Sequence, residues 1–318
     1  MKTRHMLVLA HTGRSDAVAA AGEVCRALHA AGLTPVLAPS QQESLAQHLE
    51  GDFLTLGDQV SLADLELTIV LGGDGTILGA AELTRGSPAP LLGVNLGHVG
   101  FLAESERDDL TWTIAQALAG EYEVESRLVL DVAVFEGGKE IFSTFAINEA
   151  TIEKASRARM IEVALEVDSR PISTFGADGV VMATPTGSTA YSFSAGGPVV
   201  WPGVEALLMV PLSAHALFAR PLVVGPDSVM AVELLERSQA SAVLWCDGRR
   251  GIDIAPGARV EARRSKDPVR LARLHSGPFT DRLVQKFSLP VTGWRGPGKG
   301  ERVIIDITIT DLGVISEA

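Results

Sequence analysis

Aromatic residues are scarce in this chain, 5% of 318, and tyrosine occurs only twice. Proteins that track nucleic-acid strands combine aromatic platforms with a basic groove. Basic charge is also in deficit: 27 Lys and Arg stand against 39 Asp and Glu, a net charge of −12. Both shortages argue against a nucleic-acid partner. Cysteine is nearly absent. Cys25 and Cys246 form no metal-ligand spacing and no disulfide framework. No apolar run approaches the ~20 residues that a membrane-spanning helix needs. The run in MKTRHMLVLA is too short for the core of a secretion signal. A soluble cytoplasmic protein without membrane partners is the expectation. Two nucleotide signatures are missing too. The turn after the first strand reads AHTGRSD rather than G-x-G-x-x-G, which weakens a hydride-transferring dehydrogenase, and there is no Walker A sequence.

What the chain does have is a hydrophobic content of 46%, enough for a large core and two domains. It is organised around LTIVLGGDGTILGAAELTR, Leu67 to Arg85. The run reads as a buried strand (67–71), a glycine turn carrying one acid, and a helix from about Thr76 to Arg85. Gly72, Gly73 and Gly75 allow close approach of the backbone, and their N–H groups with the helix N-terminus behind them can converge on a phosphate. A carboxylate among such amides repels the ligand unless it takes a proton or holds a metal, so Asp74 is the first candidate for chemistry. The structural alternative is a plain strand-to-helix turn with Asp74 as the helix N-cap.

The opening residues predict strands near 5–10 and 34–38 around a helix ending at about Ala31, with Cys25 on its apolar face: a β-α-β unit. PLLGVNLGHVGFLAE adds a strand and a second glycine-rich loop, and a helix is expected over about 106–119. Residues 1–125 therefore read as a Rossmann-like, doubly wound α/β domain carrying the GGDGT loop. Ligands in such sheets sit at the carboxyl ends of the strands, where both glycine loops fall. From Tyr122 the texture changes to period-two alternation broken by Gly-Gly, Asp-Ser and Asp-Gly turns, so residues 126–283 predict a β-rich, sandwich-type domain. Residues 284–300 are weakly patterned and expected to pack back on the first domain. A Gly-Pro-Gly break precedes an extra tail, 301–318.

The richest stretch is GADGVVMATPTGSTAYSFSAGGPVVWP, Gly176 to Pro202. It places seven hydroxyl residues (Thr184, Thr186, Ser188, Thr189, Tyr191, Ser192 and Ser194) among small ones. Small residues leave room for a ligand, hydroxyls and free amides offer polar contacts, and Tyr191 can lie against a base or ribose. A serine hydrolase does not fit, because no G-x-S-x-G elbow and no local histidine are present. Asn148-Glu149, at a strand end, offers an amide for a purine edge and a carboxylate for a ribose diol.

GGDGT at 72–76, Asn148-Glu149, and DGVVMATPTGSTAYSFSAGGP at 178–198 together resemble the motif set of the bacterial NAD kinases. The less specific HALFARPLVV and CDGRR also match, and PFTDRLVQKFSLPVTGWRG is similar to the C-terminal segment of actinobacterial members. The resemblance implies transfer of a phosphoryl group from ATP or inorganic polyphosphate to the adenosine 2′-hydroxyl of NAD. Asp74 would take the proton, with Gly75 on the phosphate side. Asn148 would meet the adenine and Glu149 the ribose. Thr189, Ala190, Tyr191, Ser192 and Ser194 would line the adenosine site. Asp178 would contact the nicotinamide end, Arg159 would lie near the phosphates, and Asp247 would make a further contact, although Asp247-Gly248 also reads as a hairpin turn. Phe101 would pack on the base or in the core.

Many relatives carry a basic residue in the first turn after GGDGT. Here that place is Gly79, which leaves Arg220 and Arg249 as candidate cations for the donor's phosphates. With few basic residues near the loop, a divalent cation such as Mg²⁺, arriving with the triphosphate, is expected to neutralise charge. The resemblance also implies a homodimer or homotetramer. Two alternatives share part of the pattern: a non-catalytic NAD(P) sensor, which has no use for Asp74, and a lipid or sugar kinase, which has no use for the adenosine pocket.

Overall fold

The computed structural model describes residues 4–97, 100–274 and 278–291. The expectations for 292–300 and for the tail 301–318 lie outside the described residues.

Strand Leu67–Leu71 is buried at every position, as an apolar run covered on both faces of a parallel sheet must be. It pairs in parallel with Met6–Ala10 on one side and Leu91–Asn95 on the other. Val36–Leu37 and Leu54–Thr55 extend the sheet past Met6–Ala10. At the other edge come Val269–Arg273 and then Glu123–Arg127. Val269–Arg273 follows the β-rich region in sequence, yet it pairs parallel to Leu91–Asn95 and antiparallel to Glu123–Arg127, so the chain returns to the first sheet. Arg273 secures the return, with Nη1 at 3.0 Å from Glu104 and Nε at 2.6 Å from Glu125.

Helices Ser15–Ala30, Asp74–Leu83 and Leu110–Ala119 cover this sheet. Cys25 lies in its core, 1% exposed, and burial pushes its thiol up to about 12. The second helix starts at Asp74 with Gly73 as N-cap, earlier than the expected Thr76. Gly72 makes this possible: a Cβ there would stand 2.5 Å from Thr76 Oγ1, so the turn folds directly into the helix. The third begins later than expected, because Arg107–Asp109 form a 3-10 turn first.

The rest is a sandwich of two six-stranded sheets. One runs Leu222–Val224, Leu207–Leu212, Gly179–Ala183, Glu149–Lys154, Ala242–Cys246, Arg250–Ile254; the other runs Arg170–Ala177, Ile161–Val167, Met230–Leu234, Arg259–Arg264, Leu130–Glu136, Lys139–Ala146. Alternate residues such as Val132, Val134, Val163 and Leu165 point inward and meet Ile152, Val180, Met182 and Leu244 of the facing sheet in one apolar core. Their alternation with half-exposed neighbours is the period-two signal of the sequence.

Candidate active site

Asp74 sits in the first turn of its helix but does not cap it. Its Oδ2 accepts the Phe101 N–H at 3.0 Å and its Oδ1 the Leu102 N–H at 3.1 Å. The preceding Gly100 has no room for a side chain, because its Cβ would strike the Asp74 carboxylate. The two glycine loops thus interlock through this one acid, and the N-cap alternative does not hold. A carboxylate has about four lone-pair sites, so two remain for a ligand. Phe101 itself is buried and packs against Phe279 and Phe287, with ring centroids 5.6 and 6.0 Å away.

Beside Asp74 opens a cleft of about 750 Å³, lined by Gly73, Gly75 and Thr76 with His11, Gln41 and Arg249. It lies at the carboxyl ends of Met6–Ala10 and Leu67–Leu71, where helices Ser15–Ala30 and Asp74–Leu83 begin. Helix N-termini favour anions.

Asn148 and Glu149 are held by the hairpin turn at Asp247. The Asp247 carboxylate accepts the Ile147 N–H at 3.0 Å and the Asn148 N–H at 2.7 Å, and Arg250 Nη2 lies 2.8 Å away. Its φ of +53° beside Gly248 at +63° is the left-handed pair of a tight hairpin. The turn that the sequence suggested for Asp247 is therefore visible, and its carboxylate is engaged with the strand entry to Glu149. Glu149 is 8% exposed and its Oε2 has no partner. Burial, then the charge of Asp247, pushes its carboxyl up to about 8, against a Tyr191 N–H bond that favours the anion. Burial also raises Asp247, while its N–H donors and Arg250 oppose the shift. The proton of the pair therefore lodges on Glu149, which has fewer donors. A buried, unpartnered carboxyl of this kind is an open hydrogen-bonding position for a ligand.

Tyr191 begins the short helix Tyr191–Ser194. Its phenol is raised by burial, by a hydrogen bond to the Glu153 side chain, and by the charges of Glu153, Glu149 and Asp178. Glu149, Thr151 and Glu153 share one face of their strand by the period of two, and Tyr191 reaches from the first to the last. Ser192 is fully buried with an unpartnered Oγ, Ser194 is exposed and Ala190 half-buried. The remaining hydroxyls are less available than the sequence suggested. Thr184 Oγ1 donates to the Ile147 carbonyl at 2.6 Å, Ser188 Oγ to the Pro185 carbonyl at 2.6 Å, and Thr189 Oγ1 to the Thr186 carbonyl at 3.2 Å. These bonds fold the loop against Asn148, where Gly187 is so close to the Asn148 carbonyl that a Cβ has no space.

Asp178 lies at the far end of the same strand pair and faces Lys154 Nζ at 2.5 Å. Arg159 is exposed, its Nη1 donating to Gln239 Oε1 at 2.8 Å, and none of these contacts joins it to Asp178 or Tyr191. Glu153, Lys154 and Arg250, which contact Tyr191, Asp178 and Asp247, stand out only in the structure. The strand periodicity of NEATIEK was the available signal for the first.

Contacts link the two halves in a closed ring. Asp74 binds the loop of Phe101, and Phe101 packs on Phe287. Phe287 stacks on Phe193 at 4.4 Å, beside Tyr191, whose N–H meets Glu149. Asp247 then ties Asn148 to Arg250, and Arg249 Nε returns to Glu82 on the Asp74 helix at 3.0 Å.

Residues 6–122 match the sequence profile of the ATP-NAD kinase N-terminal domain, and residues 147–274 that of the C-terminal domain. The chain is 65% identical over 296 residues to an NAD kinase of Leifsonia xyli, covering 92% of this chain and 97% of that relative. It is 56% identical over 301 residues to an NAD kinase of Thermobifida fusca, covering 92% of each. Among solved structures, a yeast NADH kinase complexed with NADH superposes with a TM-score of 0.82 at 21% identity, over 92% of this chain and 90% of that one. An NAD kinase from Archaeoglobus fulgidus in complex with ATP gives 0.69 at 24% identity, over 91% of this chain and all of that one, 100%. At these identities the two structures speak for the fold.

Proposed function

The chain belongs to the NAD kinase family, and from that premise we propose that Asp74 is the general base for phosphorylation of the adenosine 2′-hydroxyl of NAD. The observation that carries this reading is the Asp74 carboxylate itself, fixed by two backbone N–H groups between Gly73 and Gly75, which line the cleft.

The acceptor's adenosine lies against Tyr191, with Asn148 at the adenine and Glu149 at the ribose. Asp178, beside Lys154, meets the nicotinamide end. ATP lays its phosphates in the cleft at Gly73, Gly75 and the helix N-termini. The 2′-oxygen attacks the γ-phosphorus as its proton passes to Asp74. The bond from the γ-phosphorus to the β,γ-bridging oxygen breaks, ADP leaves, and Asp74 later releases the proton to solvent. A sugar hydroxyl is too weakly acidic to attack unaided, so the base lowers the barrier directly. Positioning and charge neutralisation supply the rest.

Among the described residues no group of three acidic, histidine or cysteine side chains stands ready to hold a metal. On this reading Mg²⁺ enters as part of the substrate, carried on the donor's phosphates. Inorganic polyphosphate offers the same phosphate chemistry and is a second donor on this reading. We place the enzyme in the cytoplasm as a homo-oligomer; its two free, buried cysteines suit a reducing compartment.

The test is Asp74→Asn, assayed with NAD against ATP and polyphosphate. Asparagine keeps the size and can still accept an N–H, but it cannot accept the 2′-hydroxyl proton. Turnover should fall at least ~10²-fold, with NAD affinity and melting temperature close to wild type. Near-normal turnover in the variant would refute the base assignment.

A further inference from the structure

The helix that begins at Asp74, DGTILGAAEL, carries no basic residue, although it forms one wall of the cleft. A cation reaches that wall from the other domain. A Cβ built on Gly79 would meet Arg249 first, with Nη2 at 3.3 Å, Cζ at 3.5 Å and Nη1 at 3.7 Å. The guanidinium therefore lies in the space that a side chain at position 79 would take. Its Nε is bound to Glu82 Oε2 at 3.0 Å, which pins the plane of the group over the helix. Both Nη groups are left facing Gly79, and the side chain is 48% exposed. Arg14, the other arginine in the cleft, is committed elsewhere: its Nη2 lies 2.6 Å from Asp16 and donates to the Leu96 carbonyl at 2.6 Å. Arg220 is exposed and does not line the cleft.

We propose that Arg249 binds the donor's phosphates, delivered by the hairpin of the second domain into the space that Gly79 leaves open. The inference rests on the kinase reading of the cleft and deepens it. A planar guanidinium with two free Nη groups matches a pair of phosphate oxygens as a point charge does not. The glycine matters as well as the arginine, because a Cβ at 79 would already press on the guanidinium at 3.3 Å and a long side chain there would compete for its space. Arg249 also shares its turn with Asp247, which holds Asn148 beside the acceptor site. The neighbouring Arg250 anchors that turn, donating to the Phe145 carbonyl at 2.6 Å and lying over the Phe145 ring at 3.9 Å. Donor contact and acceptor pocket are thus mounted on one rigid corner.

Steady-state kinetics of Arg249→Ala and of the exchange variant Gly79→Arg/Arg249→Ala test this, with direct titration of a non-hydrolysable ATP analogue alongside. The single variant should show a KM for ATP raised about ten- to hundredfold, as expected for a lost charge-assisted contact. Its KM for NAD should stay within about twofold and its melting temperature near wild type. The exchange variant restores a cation in vacated space and should recover at least about fivefold of the loss. An unchanged KM for ATP in Arg249→Ala overturns the proposal. So does a joint rise in both KM values with a lower melting temperature, which would make Arg249 a brace for the turn only. A folded exchange variant with no recovery overturns the claim that the two positions share one role. Failure of the kinase reading itself would appear separately, as wild-type protein that gives no phosphorylated product from NAD and ATP.

Discussion

Glu149 makes the site's sharpest pH-dependent prediction. In the folded protein its carboxyl is pushed from 4.5 up to about 8 by burial and by Asp247. Below about pH 4.5 it is protonated whether the chain is folded or not, so it contributes no pH dependence there. Between about 4.5 and 8 the unfolded chain has released this proton and the folded chain retains it. The folded state then binds more protons, and stability falls as pH rises, by about 1.4 kcal/mol per pH unit at most. Above about 8 the contribution is flat. Across the window the carboxyl costs the fold roughly 5 kcal/mol, an order-of-magnitude figure for a group coupled to Asp247. Glu149→Gln replaces it with a neutral group of the same shape that never ionises. Thermal and denaturant melts of the ligand-free protein at half-unit steps from pH 5 to 9 read the difference. The variant should match wild type near pH 5 and gain on it steadily toward pH 8, by several degrees in melting temperature. Parallel curves across the range would refute the buried, proton-retaining Glu149. A variant that loses ground as pH rises would reverse the sign and place an anion there.

Asp178→Ala should raise the Michaelis constant for NAD by about one to two orders of magnitude through loss of a charge-assisted contact, with turnover largely kept; collapsed turnover at an unchanged constant would remove Asp178 from the binding site. Phe287→Ala should cost roughly 1–2 kcal/mol of stability through its two ring contacts. It should also speed hydrogen exchange at the Phe101 and Leu102 amides that hold Asp74, and unchanged exchange there would show that the C-terminal helix Phe279–Phe287 does not support the loop.

The parts of the site legible in the sequence are those that local chain chemistry dictates. GGDGT announces a strand, a turn and a helix because glycine spacing and apolar periodicity are local signals. The alternation after Tyr122 gives the sandwich for the same reason. Long-range pairings carry no such signal. Nothing local in VRLAR says that it leaves the sandwich to pair with Leu91–Asn95; its buried Arg273 is the only oddity, and that makes sense once Glu104 and Glu125 are beside it. Residues 107–109 looked helical because α-helix and 3-10 turn share their early periodicity.

The hydroxyl-rich loop shows the opposite error, a local signal read too generously. Seven hydroxyls read as polar groups on offer to a ligand, but a loop without regular hydrogen bonding must satisfy its own backbone first. Thr184, Ser188 and Thr189 do so, whereas Ser192 Oγ and Glu149 Oε2 are left without a partner. Arg249 illustrates why such positions escape a one-dimensional reading. At residue 249 the sequence shows one arginine among 27 Lys and Arg, and at 79 it shows a glycine inside a helix, a costly choice with no local reason. The two oddities explain each other only when they meet across the domain junction, where a Cβ on Gly79 would lie 3.3 Å from Arg249 Nη2. A glycine in a helix interior beside a cleft therefore deserves a search for the side chain, from elsewhere in the fold, that occupies its space.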